Sequence, residues 1–295
     1  MNCNSYIQKF MFEKLPVKGA LVVLDDCWQT INNQQIYPDG LKQLLGELLA
    51  ANVLITANLK LDGKVICQIQ DNPHFQLVVS ECSSKMTVRA TAKYTANEEA
   101  LLDYRDYLDK GRLVVSIDST TEGNLYQSII AFNGNNIAEI LNNYMLQSEQ
   151  LKSWFIIAYH EQRVTALMLQ QLPDQHKQHF EDTERIFMLA ETLSPGELAE
   201  LPLEQIIYRL FNHDNVIIYP QHPVEFACSC SRQRVGEILR DLGKDELNSM
   251  IADQGSIVVD CDYCNAQYCF TREELEQFVL QLSFDDIVPI SQEIH

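Results

Sequence analysis

The chain has 295 residues, with 22 Lys or Arg against 41 Asp or Glu and a formal net charge of -19. That length leaves room for about two domains with a substantial core. The charge repels phosphate backbones and anionic bilayers alike, which sets nucleic acid and membrane surfaces aside as partners.

The opening stretch "MNCNSYIQKFMFEKLPVKGALVVLDD" has no charged start followed by a long apolar run, so neither a signal peptide nor a membrane span is expected. The expected location is cytoplasmic. Strand-like "KGALVVL" is followed by "DGLKQLLGELLAANVLITANL", whose apolar residues recur at helical spacing. Strands are then expected in "KVICQIQ", "FQLVVSE", "MTVRATAKY", "GRLVVSID" and "NLYQSIIAF". A helix in "NIAEILNNYMLQSEQL" precedes a last strand pair, "SWFIIAYHEQ" and "VTALMLQQLP". No regular helical crossovers separate the strands, which favours an α+β fold over a doubly wound parallel sheet. Residues 1–178 are therefore read as a mixed sheet-and-helix domain, with its pattern ending near Pro173.

A helical, metastable linker is expected over residues 179–226. Ile186, Phe187, Leu189 and Leu193, then Ile206, Ile207, Leu210 and Phe211, fall on helical faces broken by "SPGE" and "LPLE". Such helices should pack on the first domain, yet short helices depend on that packing and are among the easier parts to melt. Residues 227–295 are read as a small C-terminal zinc-binding redox-switch module. It carries helix text "RQRVGEILRDLGKDELNSMIADQG", strand text "SIVVD" and a closing helix "TREELEQFVLQLS", with Thr271 and Glu274 at capping-box spacing.

Cytoplasmic thiols are kept reduced, so the nine cysteines favour metal or redox chemistry over stable disulfides. Cys3, Cys27, Cys67 and Cys82 are scattered singly and read as small hydrophobes. Cys228, Cys230, Cys261 and Cys264 form two tight pairs, a ligand set for one Zn2+ per chain. Asn265, just after the second pair, tolerates a left-handed backbone. Four thiolates leave no open position for water, so the zinc is read as structural rather than hydrolytic. Structural zinc contributes on the order of 10–16 kcal/mol, against the roughly 5–15 kcal/mol that holds an ordinary domain folded.

Oxidation most easily joins near neighbours, Cys228 with Cys230 and Cys261 with Cys264, and such small rings constrain little chain. It would remove the long-range clamp and loosen the module. Cys269 is close enough in sequence to compete as a thiol, although a buried strand residue is the simpler reading. Arg232 and Arg234 either favour thiolate character or form a solvated helix face.

Enzymatic motifs are missing: there is no Gly-rich phosphate loop, no G-x-S-x-G and no H-E-x-x-H, and "YHEQR" lacks the second His. His176 and His179 in "DQHKQHF" are a weak metal pair on what reads as a solvated boundary segment. No catalytic residue is assigned, and a thiol oxidoreductase or hydrolase is the least supported reading.

The segments "VEFACSCSRQRV" and "DCDYCNAQYCF" resemble the redox-regulated 33 kDa chaperonin family, ATP-independent holdases of bacteria. Weaker similarity runs through "LLGELLAANVLITANLKLDG", "EGNLYQSII", "YMLQSEQL" and "LPLEQIIYRLF". The chain departs from the family at Asn265 and Ser128, where Gly is usual, in lacking a Gly pair before "LMLQQLP", and in carrying the additional Cys269. The resemblance implies an inactive reduced form with zinc on Cys228, Cys230, Cys261 and Cys264. Strong oxidants would then form the Cys228 to Cys230 and Cys261 to Cys264 disulfides, expel zinc and unfold the module with its linker. The oxidised form is expected to be a homodimer that binds unfolding client proteins. The competing reading is a structural zinc module on an α+β protein-interaction domain with no redox activation.

Overall fold

A computed structural model describes residues 4–60, 62–95, 103–108, 110–119, 125–147, 152–173 and 179–285. They fall into two units, Met1–Ala227 and Cys228–His295. The first begins with strands β1 (Tyr6–Phe12) and β2 (Val17–Leu24) and helices α1 (Asp26–Asn32) and α2 (Asp39–Asn58). Strands β3 (Gly63–Gln70), β4 (Phe75–Ser83) and β5 (Thr87–Tyr94) follow, then a short 3-10 turn at Tyr104–Tyr107. Strands β6 (Arg112–Ser119) and β7 (Leu125–Ala131), helix α3 (Ile137–Gln147) and strands β8 (Ser153–His160) and β9 (Arg163–Gln171) come next. Helices α4 (Phe180–Ala190), α5 (Pro195–Glu200) and α6 (Leu203–Phe211) lead into strands β10 (Val216–Pro223) and β11 (Glu225–Phe226).

These strands form a five-stranded sheet ordered β10-β1-β2-β9-β8 and a six-stranded sheet ordered β11-β5-β4-β3-β6-β7. The expected α+β class is the one found. Helix α2 lies between the two sheets, which explains why Leu41, Leu44, Leu45, Leu48, Leu49 and Val53 are apolar nearly all round its circumference. Gly46 permits the close approach of β9, because a Cβ there would lie 2.8 Å from a methyl of Val164. The one amide that this buried helix carries deepest, Asn52, donates to the carbonyls of Val65 and Ser80 at 3.2 and 2.9 Å.

The outer face of the five-stranded sheet presents Phe10, Phe12, Leu21, Leu167 and Leu169, and helices α4 to α6 cover it with Ile186, Phe187, Leu198, Leu203, Ile206 and Phe211. Ser194 and Glu197 form a capping box that starts α5, with Pro195 at the first helical position. The linker segment is not helical throughout: helix ends at Phe211, and Val216–Pro223 and Glu225–Phe226 are strands. Val216, Ile217 and Ile218 are β-branched and pair with β1, while Pro220 and Pro223 exclude a helix. Strand β1 and helix α1 were not read from the sequence.

The second unit contains α7 (Arg232–Asp241), α8 (Lys244–Gln254), the hairpin β12 (Ile257–Asp260) with β13 (Gln267–Phe270), and α9 (Arg272–Asp285). The helix text after the first cysteine pair forms two helices, parted at Gly243, whose φ of 87° only glycine adopts readily. Thr271 and Glu274 form the expected cap, with Thr271 N–H donating to the Glu274 carboxylate at 2.8 Å. Among the described residues the buried core of this unit is Val235, Leu239, Leu247, Ile251, Ile257, Phe270 and Leu275. A core that small leaves the unit dependent on a further cross-link.

Candidate metal centre

The backbone leading to the first cysteine pair is held on the six-stranded sheet. Val224 N–H donates to the Ser5 carbonyl at 3.0 Å, Glu225 and Phe226 pair in parallel with Thr87 and Val88, and Ala227 N–H donates to the Val88 carbonyl at 3.1 Å. Sheet pairing therefore continues to the residue before Cys228. Just after the pair, Ser231 caps α7 by accepting from Arg234 N–H at 3.2 Å.

The second pair sits in the turn between β12 and β13. Cys261 N–H donates to the Ala266 carbonyl at 3.0 Å, and Asn265 N–H donates to the Cys261 carbonyl at 2.8 Å. Asn265 takes φ 54°, the left-handed conformation its position after the pair anticipates. The turn points both sulfurs the same way.

All four sulfurs lie within 4.8 Å of one another. Cys228 Sγ stands 3.6 Å from Cys261 Sγ, and Cys230 Sγ 3.3 Å from Cys264 Sγ. A tetrahedral ion with metal–sulfur bonds of about 2.3 Å requires sulfurs about 3.8 Å apart, so the donor set fits a soft divalent ion with little adjustment. Among the described residues this is the one cluster of three or more potential ligands.

Tyr268 Oη donates to Cys230 Sγ at 3.1 Å, and this hydrogen bond holds the Cys230 thiol below its ordinary value. Burial pushes Cys228 and Cys264 up. Thiolates so close together repel one another, and a bound cation offsets that repulsion. Tyr268 was not singled out from the sequence, although its place two residues before Phe270 on a strand predicts that both share a face. Arg232 makes two contacts to the Glu274 carboxylate at 2.7 and 2.8 Å and lies 4.5 Å from the Phe270 ring centre, joining α7 to α9. Arg234 donates to Ser229 Oγ at 3.3 Å.

Cys269 is exposed, not buried. Alternation along β13 sends Tyr268 and Phe270 to one face and Cys269 to the other, opposite the exposed Val258. Cys27, Cys67 and Cys82 are buried as expected, and desolvation pushes the Cys82 thiol up to about 12. Cys3 and His176 lie outside the described residues. His179 immediately precedes α4 and lines a cavity with Lys14, Asp182, Arg185, His213 and Asp214. No described helix is long and apolar enough to cross a membrane.

Comparison with known proteins gives a concordant result. The family model for the Hsp33 protein matches residues 5–271. The 33 kDa chaperonin of Chromobacterium violaceum is 39% identical over 300 residues, covering 99% of this chain and 98% of that protein. The 33 kDa chaperonin of Methylobacillus flagellatus is 38% identical, covering 94% of this chain and 95% of that protein. The crystal structure of the 33 kDa chaperonin from Thermotoga maritima superimposes with a TM-score of 0.80, covering 95% of this chain and 99% of that one at 24% identity, and so supports the fold. These relatives are named as chaperonins, not as enzymes. With a matching model over nearly its whole length and relatives of this similarity, the chain belongs to the Hsp33 family of 33 kDa chaperonins.

Proposed function

We propose that this protein is an ATP-independent holdase whose reduced form carries one zinc ion on Cys228, Cys230, Cys261 and Cys264 and is inactive. The observation that carries the proposal is the convergence of two sequence-local cysteine pairs on one point, in a unit whose buried core is small among the described residues. Zinc, when bound, supplies a cross-link between residues 228–230 and 261–264. It leaves no coordination position for hydrolytic chemistry.

Oxidation works against that cross-link. Each zinc-bound thiolate pair gives up two electrons as its S–S bond forms, and hypochlorous acid takes them, leaving chloride and hydroxide while the zinc ion is released. Disulfides between Cys228 and Cys230 and between Cys261 and Cys264 satisfy each pair locally and leave nothing joining one pair to the other. The unit then has only its small core, and it loosens. Because sheet pairing runs up to Ala227, loss of order after Cys228 frays first into β11 and β10, and then into helices α4 to α6. Residues 179–226 thus act as a metastable linker, and their release uncovers the apolar sheet face they occupy.

The exposed surface holds unfolding proteins and prevents their aggregation, and the net charge of -19 keeps such complexes apart in solution. A cytoplasmic location, where thiols rest reduced, gives the switch its off state. The oxidised form is proposed to be a homodimer. Light scattering from a heat-unfolding client, with reduced zinc-loaded protein compared with the same preparation after hypochlorite, tests the reading. Suppression by the oxidised form alone supports it; equal suppression, or none, returns the cysteines to a purely structural role.

A further inference from the structure

The six-stranded sheet ends at β7, which among the described residues has a strand neighbour, β6, on one side only. Its sequence, LYQSIIA, contains no charged residue and no proline, the features that ordinarily keep an exposed edge from accepting another strand. Leu125, Tyr126 and Ile129 are 61%, 65% and 61% exposed. On the face toward α3, Tyr126, Ser128 and Ile130 line a cavity of about 300 Å³ together with Tyr144, Met145 and Met168. None of the described residues lining it is charged.

We propose that β7 and this cavity take up an extended apolar stretch of an unfolding polypeptide. The stretch adds a strand to the sheet and drops alternate aliphatic side chains into the cavity. The inference rests on the holdase reading and adds to it a place of contact on the other sheet, beside the face that residues 179–226 cover.

Three observations select this occupant. The outward main-chain groups of an edge strand are complemented by another peptide backbone, which an apolar small molecule cannot supply. The cavity volume is at the lower end of what small-molecule sites need, but it suits single side chains entering from a neighbouring strand. Met145 and Met168 supply pliable thioether walls that adapt to side chains of different shape, which a holdase with many clients requires.

The test uses the oxidised full-length protein and a fluorescein-labelled short peptide of alternating Leu and Thr with a lysine at each end. Hydrogen exchange of amides 125–131 is followed with and without the peptide, and affinity is read by anisotropy for the wild type and Ser128→Lys. Exchange in 125–131 is expected to slow on peptide addition. Ser128→Lys, which puts an ammonium into the uncharged cavity, is expected to weaken binding by about tenfold or more. The exchange readout on the wild type stands even if the variant folds poorly. Unchanged exchange in 125–131 with the peptide bound overturns the assignment. So does protection of amides 125–131 that grows with protein concentration in the absence of peptide, which makes the occupant of this edge a second copy. Aggregation suppression by the oxidised wild type with β7 unprotected places client contact elsewhere and leaves the holdase reading intact, whereas no suppression in any state overturns both.

Discussion

Replacing Phe211 by Ala should open the linker without any oxidant. Phe211 is 1% exposed and packs edge-on against Phe12 of the first sheet, with ring centres 5.1 Å apart. Truncating a buried Phe costs about 3–5 kcal/mol, and the cavity falls between α6 and β1, at the contact that holds the helices down. Helices of 11, 6 and 9 residues do not persist in water without such docking. If residues 179–226 open as a separate unit, that cost appears almost entirely in their opening equilibrium. At about 1.4 kcal/mol per decade, the open population rises roughly a hundredfold to a few thousandfold. Trypsin cleavage after Arg185 and Arg209 in the reduced, zinc-loaded protein reads this population directly. The reasoning is refuted if cleavage at these sites is unchanged while the thermal midpoint of the whole first unit falls, because linker and sheets would then unfold together.

Tyr268→Phe removes the hydrogen bond to Cys230 Sγ and should weaken zinc retention by about 10- to 100-fold, measured by competition with a chromogenic chelator. Asn265→Val forces a β-branched residue to φ 54° and should lower the stability of the metal-loaded C-terminal unit by about 1–2 kcal/mol. Asn265→Gly should not lower it, and thermal melts of the two variants compare them. Glu47 is buried, and desolvation raises its carboxyl above the ordinary value of 4.5 despite hydrogen bonds from Tyr104 and Gln43. The folded state therefore holds this proton more tightly than the unfolded one. Its contribution is greatest below pH 4.5 and is lost as pH rises through the folded value. Urea denaturation across that window should show the decline in the wild type and a flatter profile in Glu47→Gln.

The parts of the fold that were legible in the sequence were those with unambiguous periodicity. The long apolar run of α2, the strands from β2 to β9 and the helical faces at Ile186–Leu193 and Ile206–Phe211 all lie where their patterns place them. What was missed depends on tertiary partners. β1 alternates apolar and polar residues only in part, because both faces of its sheet are covered, one by α2 and the other by α4 to α6. β10 falls in the stretch expected to be helical linker, its strand pattern interrupted by two prolines, and it forms because β1 offers it an edge.

The cysteine cluster was legible because ligand chemistry restricts residue type and spacing more tightly than helix or strand propensity does. Its geometry also separates Cys269 from the other four cysteines of this region, which spacing alone could not do. One residue of register on β13 turns its side chain away from the face that Tyr268 shares with Cys230. The role of Tyr268 was hidden for the complementary reason: a tyrosine near cysteines means little until a strand aims it at a sulfur.

The most direct test of the account is a hypochlorite titration in which zinc released to a chromogenic dye and suppression of client aggregation are read from the same sample, followed by mass-spectrometric mapping of the disulfides. The account predicts that zinc release and suppression rise together, with Cys228 joined to Cys230 and Cys261 joined to Cys264. Suppression by protein that still holds its zinc would contradict it. So would disulfides joining Cys228 to Cys261 and Cys230 to Cys264, since these would preserve the clamp whose loss is the proposed signal.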